Sequence, residues 1–188
     1  EHVYIFGGEF STAWQFKHYR DLWRFDVTSN AWEQIETKTG PSPRSGHRMV
    51  LWKHFLVVFG GFFETSRGVK WFNDLYLFDL RAREWHLVEF KQTAQQPSAR
   101  SGCQFVASIG KDVIYMYGGY AKEQISTNKR RGRNLDDMWA LHLSLNTSSN
   151  SAWPTAKWEP IGKKGDAPLK RSGASSIAYR NRIILFGG

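Results

Sequence analysis

The chain has 188 residues, is 15% aromatic with nine Trp, and carries a formal net charge of +9. That aromatic load excludes a disordered chain, because such side chains carry most of the buried area of a packed core. The length is enough for one domain with a real core, and the basic balance favours acidic partners: an acidic peptide, nucleic acid or an anionic surface.

Taken in chain order, the predicted strands announce a repeat. Val3-Tyr4-Ile5-Phe6 runs into Gly7-Gly8, and Leu56-Val57-Val58-Phe59 into Gly60-Gly61. Val113-Ile114-Tyr115-Met116-Tyr117 runs into Gly118-Gly119, and Ile183-Ile184-Leu185-Phe186 into Gly187-Gly188. Second glycine to second glycine, the periods are 61−8 = 53, 119−61 = 58 and 188−119 = 69 residues. After the glycines come Asp21-Leu22-Trp23, Asp74-Leu75-Tyr76 and Asp137-Met138-Trp139, then a lone Trp32, Trp85 or Trp158, then Arg44-Ser45-Gly46, Arg100-Ser101-Gly102 or Arg171-Ser172-Gly173. The third period carries about 15 extra residues before its Trp, around 121–134 and 146–154, both polar stretches expected to be loops on a fixed scaffold.

Within the second period four short strands are predicted, at about 46–52, 55–60, 74–80 and 84–90. The segment before each double glycine is apolar without alternation, so both its faces are expected to be buried. The Trp segment alternates, with Trp85, Leu87 and Glu89 on one face, as a half-exposed outer edge would. The glycine pair ends its strand where a side chain would clash or where positive φ is needed.

These residues resemble the Kelch repeat, in the double glycine, the aromatic of the next strand and the spaced tryptophan. The turn Pro41-Ser42-Pro43-Arg44-Ser45-Gly46-His47 with Gly60-Gly61-Phe62 is most similar to the eukaryotic Kelch-domain-containing protein four subgroup. The resemblance implies an all-β fold, a Kelch-type β-propeller with about three four-stranded blades, twelve or thirteen strands and almost no helix. It also implies a fragment of a ring of about six blades, closed by missing blades or by a second copy. The repeats fall at about 1–53, 54–111 and 112–181, with a terminal strand at 182–188; both ends look cut within strand-like sequence. Gly7, Gly8, Gly60, Gly61, Gly118, Gly119, Gly187 and Gly188 are expected to be structural. So are Trp32, Trp85 and Trp158, packed between adjacent blades and largely buried.

Two sets of segments are candidate binding sites. The loops after the double glycines, 9–20, 62–73 and 120–136, hold Trp14, Phe16, His18, Tyr19, Arg20, Phe63, Arg67, Lys70, Trp71, Phe72, Lys129, Arg130, Arg131 and Arg133. Either the aromatics pack onto the blade and the cations are solvated, or these residues meet a partner. The second set is the Arg-Ser-Gly turns. By the resemblance, Arg44, Arg100 and Arg171 would line one rim and hold an acidic peptide with bidentate guanidinium forks. The alternative is that each arginine bonds carbonyls of its own turn.

No catalytic motif emerges. The six histidines have no metal spacing, and GxSxG, P-loop and dinucleotide fingerprints are missing. Cys103 stands where the other repeats have His47 and Ala174, so it reads as a packing position. The expectation is therefore a non-enzymatic protein-interaction scaffold with no cofactor or metal, binding another protein such as an acidic peptide or an assembly client. The alternative is a nucleic-acid or ribonucleoprotein module using the basic surface. One cysteine allows no intramolecular disulfide and fits a reducing compartment, cytoplasm or nucleus. The apolar runs are too short to cross a bilayer and no signal peptide is visible, so a membrane partner is not expected. Asn146-Thr147-Ser148 has the form of a glycosylation sequon, which means little without secretion.

Overall fold

The computed structural model describes residues 1–66, 68–126, 129–145 and 153–188, with backbone alone at 123–126 and 129–130. Among the described residues there is no helix, and none that could cross a membrane. The sequon at 146–148 and Arg67 lie outside the described residues.

The strands form successive antiparallel sheets. The first is three-stranded, β1 (His2–Ser11), β2 (Phe16–Asp26) and β3 (Ala31–Ile35). The second has the order β4 (Arg48–Trp52), β5 (Phe55–Phe59), β8 (Leu75–Asp79), β9 (Glu84–Leu87), with a separate hairpin β6 (Phe62–Thr65) and β7 (Gly68–Trp71) rising between β5 and β8. The third runs β10 (Gln104–Ala107), β11 (Val113–Ser126), β12 (Lys129–Ser144), β13 (Thr155–Ile161), and the last pairs β14 (Ser175–Tyr179) with β15 (Arg182–Phe186). The first strands of consecutive sheets, β4, β10 and β14, lie against one another, as strands around a central axis do. This is a β-propeller arrangement, with two complete four-stranded blades flanked by a three-stranded and a two-stranded one. The repeat boundaries near residues 53, 111 and 181 fall between the first and second strands of a blade, so repeat and blade are offset by one strand, and each glycine pair lies within or just after the second strand.

Burial follows the sequence pattern where neighbours exist on both sides. Every residue of β5 is buried, whereas its counterparts β1 and β15 expose Val3, Ile5, Ile184 and Phe186 because each has a blade on one side alone. Trp85 and Trp158 occupy matching register positions, opposite Phe78 and Leu141, and are buried between blades. Trp85 packs with Phe6, Leu22 and Ile35 of the first blade, and Trp158 with Phe59 and Phe105. Trp32 has the same register, opposite Phe25, but is 53% exposed. The expectation of burial fails there because, within residues 1–188, no further sheet packs on that face of the first one. On β9, Leu87 is exposed and Val88 turns inward just beyond the strand, so the alternation read from the sequence ends one residue early.

The double glycines are required by close approach as well as by φ. A Cβ on Gly60 (φ +71°) would stand 2.6 Å from the Arg100 carbonyl oxygen, and one on Gly61 (φ +95°) 2.7 Å from that of Ser45. The extra residues at 121–126 and 129–134, expected as a loop, instead prolong β11 and β12 into a ribbon whose ladder pairs Ala121 with Arg133 and Glu123 with Arg131. The strand pairing continues because the segment satisfies its own backbone across the hairpin.

Candidate partner-binding face

The Arg-Ser-Gly turns form the floor of the face. Arg44 is 0% exposed. Its Nε donates to the Ser42 carbonyl (3.1 Å) and Nη1 to the Gly60 carbonyl (3.1 Å), while both terminal nitrogens reach Asp74. Arg100, 1% exposed, repeats the set on Ser98, Gly118 and Asp137. Burial pushes the Asp137 carboxyl up, but hydrogen bonds from Arg100 and the Trp139 indole outweigh it and hold it below the usual carboxylate range. The arginine carbonyls tie each turn to the blade before it, accepting the amides of Gly8 (from Arg44), Gly61 (from Arg100) and Gly119 (from Arg171).

Arg44 and Arg100 therefore sit beneath the rim rather than on it, their donors already spent on carbonyls and a carboxylate. A ligand carboxylate has no access to either, which corrects their expected place in a partner site. Arg171 makes the same two carbonyl bonds, to Leu169 and Gly187, and is half-buried. Asp74 and Asp137 receive guanidinium groups. Backbone amides are accepted instead by Asp26 and Asp79, each of which takes two amides of the next turn.

Above the turns stand the hairpins that follow the double glycines: β1–β2, β6–β7 and the β11–β12 ribbon. Their aromatic side chains make a row that crosses from blade to blade. Phe16 meets His18 (4.8 Å between ring centres), His18 meets Phe62 (5.4 Å), Phe62 meets Trp71 (5.3 Å), and Trp71 meets Tyr120 (5.4 Å). Backbone bridges seat the row on the turns: Ser45 and Phe62 exchange two hydrogen bonds, as do Ser101 and Tyr120. A Cβ at Gly132 would collide with the Tyr120 hydroxyl, so the glycine lets that ring lie across the ribbon.

The expected site residues divide along this architecture. Phe72 is buried beneath the face, with the Arg44 guanidinium 4.0 Å over its ring, and so cannot meet a partner. Trp71 is half-buried within the row, and Tyr19 is half-buried with Lys17 over its ring. Arg20, Arg131 and Arg133 are exposed on the hairpins, while Lys129 and Arg130 belong to the ribbon by backbone register, their side chains lying outside the described residues. Trp14 tops the first hairpin at 96% exposure, on a turn tied by Thr12, whose hydroxyl accepts the amides of Trp14 and Gln15. Between the first two hairpins runs an open groove of about 990 Å³, lined by Phe16, Lys17, His18, Pro43 and Phe63 to Ser66.

Phe62 and Tyr120 were not among the expected site residues; the signal in the sequence is their shared place directly after a double glycine. Cys103 is buried and its thiol is pushed up to about 11, chiefly by burial, which leaves no reactive thiolate. Among the described residues no cluster of three or more His, Cys, Asp or Glu could hold a metal.

Comparison with known proteins agrees with this architecture. The KLHDC2/KLHL20/DRC7 Kelch-repeats domain matches residues 1–188. Kelch domain-containing protein 3 of Homo sapiens is 27% identical over 192 residues, covering 99% of this chain and 44% of its own length. Tip elongation aberrant protein 1 of Schizosaccharomyces pombe is 26% identical over 190 residues (100% and 15%), and Host cell factor of Drosophila melanogaster 26% over 203 residues (99% and 12%). The chain thus spans less than half the length of these relatives. The solved structure of YjhT superposes with a TM-score of 0.66 at 14% identity, covering 98% of this chain and 55% of that one, a likeness of fold.

Proposed function

Because the chain belongs to the KLHDC2/KLHL20/DRC7 Kelch-repeat family, we propose that it is a protein-interaction module, not an enzyme, whose partner meets the face built by the three post-glycine hairpins. Kelch-repeat relatives generally act as protein-interaction modules. The observation that carries the reading is the aromatic row from Phe16 to Tyr120, an unbroken line of rings across three blades. Rigid aromatics offer large contact area at little entropic cost, and they concentrate at interfaces for that reason.

The partner is acidic in this reading. Residues 9–20, 62–73 and 120–136 hold nine cations (Lys17, Arg20, Arg67, Lys70, Lys122, Lys129, Arg130, Arg131, Arg133) against four carboxylates (Glu9, Glu64, Glu123, Asp136). Of those carboxylates, Glu9 accepts the Ser45 hydroxyl and Asp136 pairs with Lys163. Trp14 would serve as an anchor at the rim. The turn sequence 41–47 supports a place near the Kelch-domain-containing protein four subgroup, and the lone buried cysteine supports a reducing compartment, cytoplasm or nucleus.

The test is affinity capture with the full-length protein, wild type against Trp14→Ala/Phe16→Ala, read by mass spectrometry and followed by a salt series on the captured partner. Acidic proteins retained by wild type and lost from the variant support the reading. Capture of nucleic acid, with log affinity falling linearly against log salt, would replace it with a nucleic-acid module.

A further inference from the structure

His18 belongs to the first hairpin, yet its imidazole is closed in by the second. Its side chain is 1% exposed. The rings of Phe16, Phe62 and Phe63 stand around it at 4.8, 5.4 and 5.2 Å. The Glu64 backbone amide donates to Nε2 at 2.9 Å, so this nitrogen carries no proton. The proton sits on Nδ1, which is buried without a hydrogen-bond partner and lies 4.0 Å from a Glu9 carboxylate oxygen. That oxygen in turn accepts the Ser45 hydroxyl at 2.6 Å.

We propose that His18 is an acid-sensitive latch, which clasps the β6–β7 hairpin to β2 while neutral and releases it on protonation, widening the groove between the two hairpins. The latch stands on the hairpin geometry alone and holds whatever partner the face takes.

The chemistry is a conflict of donors. A protonated imidazole bears N–H on both nitrogens, so its Nε2–H would point at the Glu64 N–H. The bond is lost, and two N–H donors meet at 2.9 Å unless the hairpin moves away. Burial drives the imidazole toward the neutral form and outweighs the opposite pull of Glu9 on β1 and Glu64 on β6, leaving its pKa below the usual 6.5. The neighbouring cations are engaged elsewhere: Lys17 of β2 over Tyr19, Lys70 of β7 over Phe72, and Arg44 of the underlying turn on Asp74. Since the folded pKa lies below the unfolded one, the latch contributes its full stability above 6.5 and loses it as the pH falls below.

Hydrogen exchange of the full chain, read by mass spectrometry on peptides covering residues 62–66 and corrected for the intrinsic pH dependence of exchange, tests this. Protection there should drop about tenfold between about pH 7.5 and about pH 5, the equivalent of losing one hydrogen bond. In His18→Gln, whose side-chain carbonyl can accept the Glu64 amide but cannot titrate, the step should vanish and protection stay high. A step that persists in His18→Gln, or equal protection at both pH values in wild type, overturns the latch. Should His18→Gln fold poorly, nitrogen-15 spectra of wild type decide: Nε2 must gain its proton in the same pH range in which residues 62–66 lose protection, and a Nε2 that stays unprotonated throughout that loss refutes the proposal.

Discussion

Arg44 spans its blade to grip Asp74 with two hydrogen bonds of 2.5 and 2.9 Å, having first bonded the carbonyl of Gly60. The contact ties the turn entering β4 to the end of β5 and the start of β8. Arg100 and Asp137 repeat it at 2.6 and 2.8 Å in the next blade. Removing one partner strands the other charge, which for a buried pair costs about 3–5 kcal/mol. Asp74 retains some solvent contact, which moves the expectation to the lower end. Asp74→Asn should therefore destabilise by about 3 kcal/mol in denaturant melts. A loss under about 1 kcal/mol would show a rim contact rather than a staple.

The tryptophans should separate by neighbour rather than by sequence. Trp85→Ala removes an indole packed on the first blade and should cost about 3–5 kcal/mol, as for large core truncations. Trp32→Ala, at the same repeat position but exposed in residues 1–188, should cost less than about 1 kcal/mol in a polypeptide of those residues. Equal losses measured by chemical denaturation would contradict the packing described.

Acid should weaken the fold through His47. Its imidazole lies edge-on to Phe6, and burial, then the charges of Arg44 and Arg48, push its pKa down to about 4. The unfolded chain takes up a proton near 6.5 while the folded one resists until about 4. Stability should thus be complete above 6.5 and decline as the pH falls toward 4. Since the next repeat carries Cys103 there, His47→Cys is a compatible substitution, and it should flatten the decline. An unchanged slope in urea titrations across that range would locate the acid sensitivity elsewhere.

A polypeptide of residues 1–188 leaves apolar strand residues of both terminal sheets open to water, among them Val3, Ile5, Ile184 and Phe186. Surfaces of that kind associate. Light scattering at about micromolar concentration should report self-association, and a well-behaved monomer would contradict it.

Most of the fold was legible because the repeat states it four times over. Gly60 and Gly61, β5 and Trp85 are where the spacing puts them, since each answers a local demand of backbone or burial. The role of Arg44 was harder to read: the sequence places an arginine in every turn and an aspartate in every third strand, but their meeting spans 30 residues and depends on blade geometry. The ribbon at 121–126 and 129–134 was hidden by its polar composition, because two strands that pair with each other need no apolar face. Phe62, His18 and Tyr120 join into one row only once adjacent blades are side by side.

The proposed division of labour gives the fold to the turn arginines and the partner to the hairpins. Its most direct measurement is a paired reading of melting temperature and partner capture, on the full-length protein, for Arg100→Ala and for Lys70→Glu/Arg131→Glu. A crossed result is expected: Arg100→Ala melts lower yet captures the wild-type partners when assayed well below its transition, whereas the hairpin variant melts as wild type and loses them. An Arg100→Ala protein with unchanged melting and lost capture, beside a hairpin variant that still binds, would contradict it.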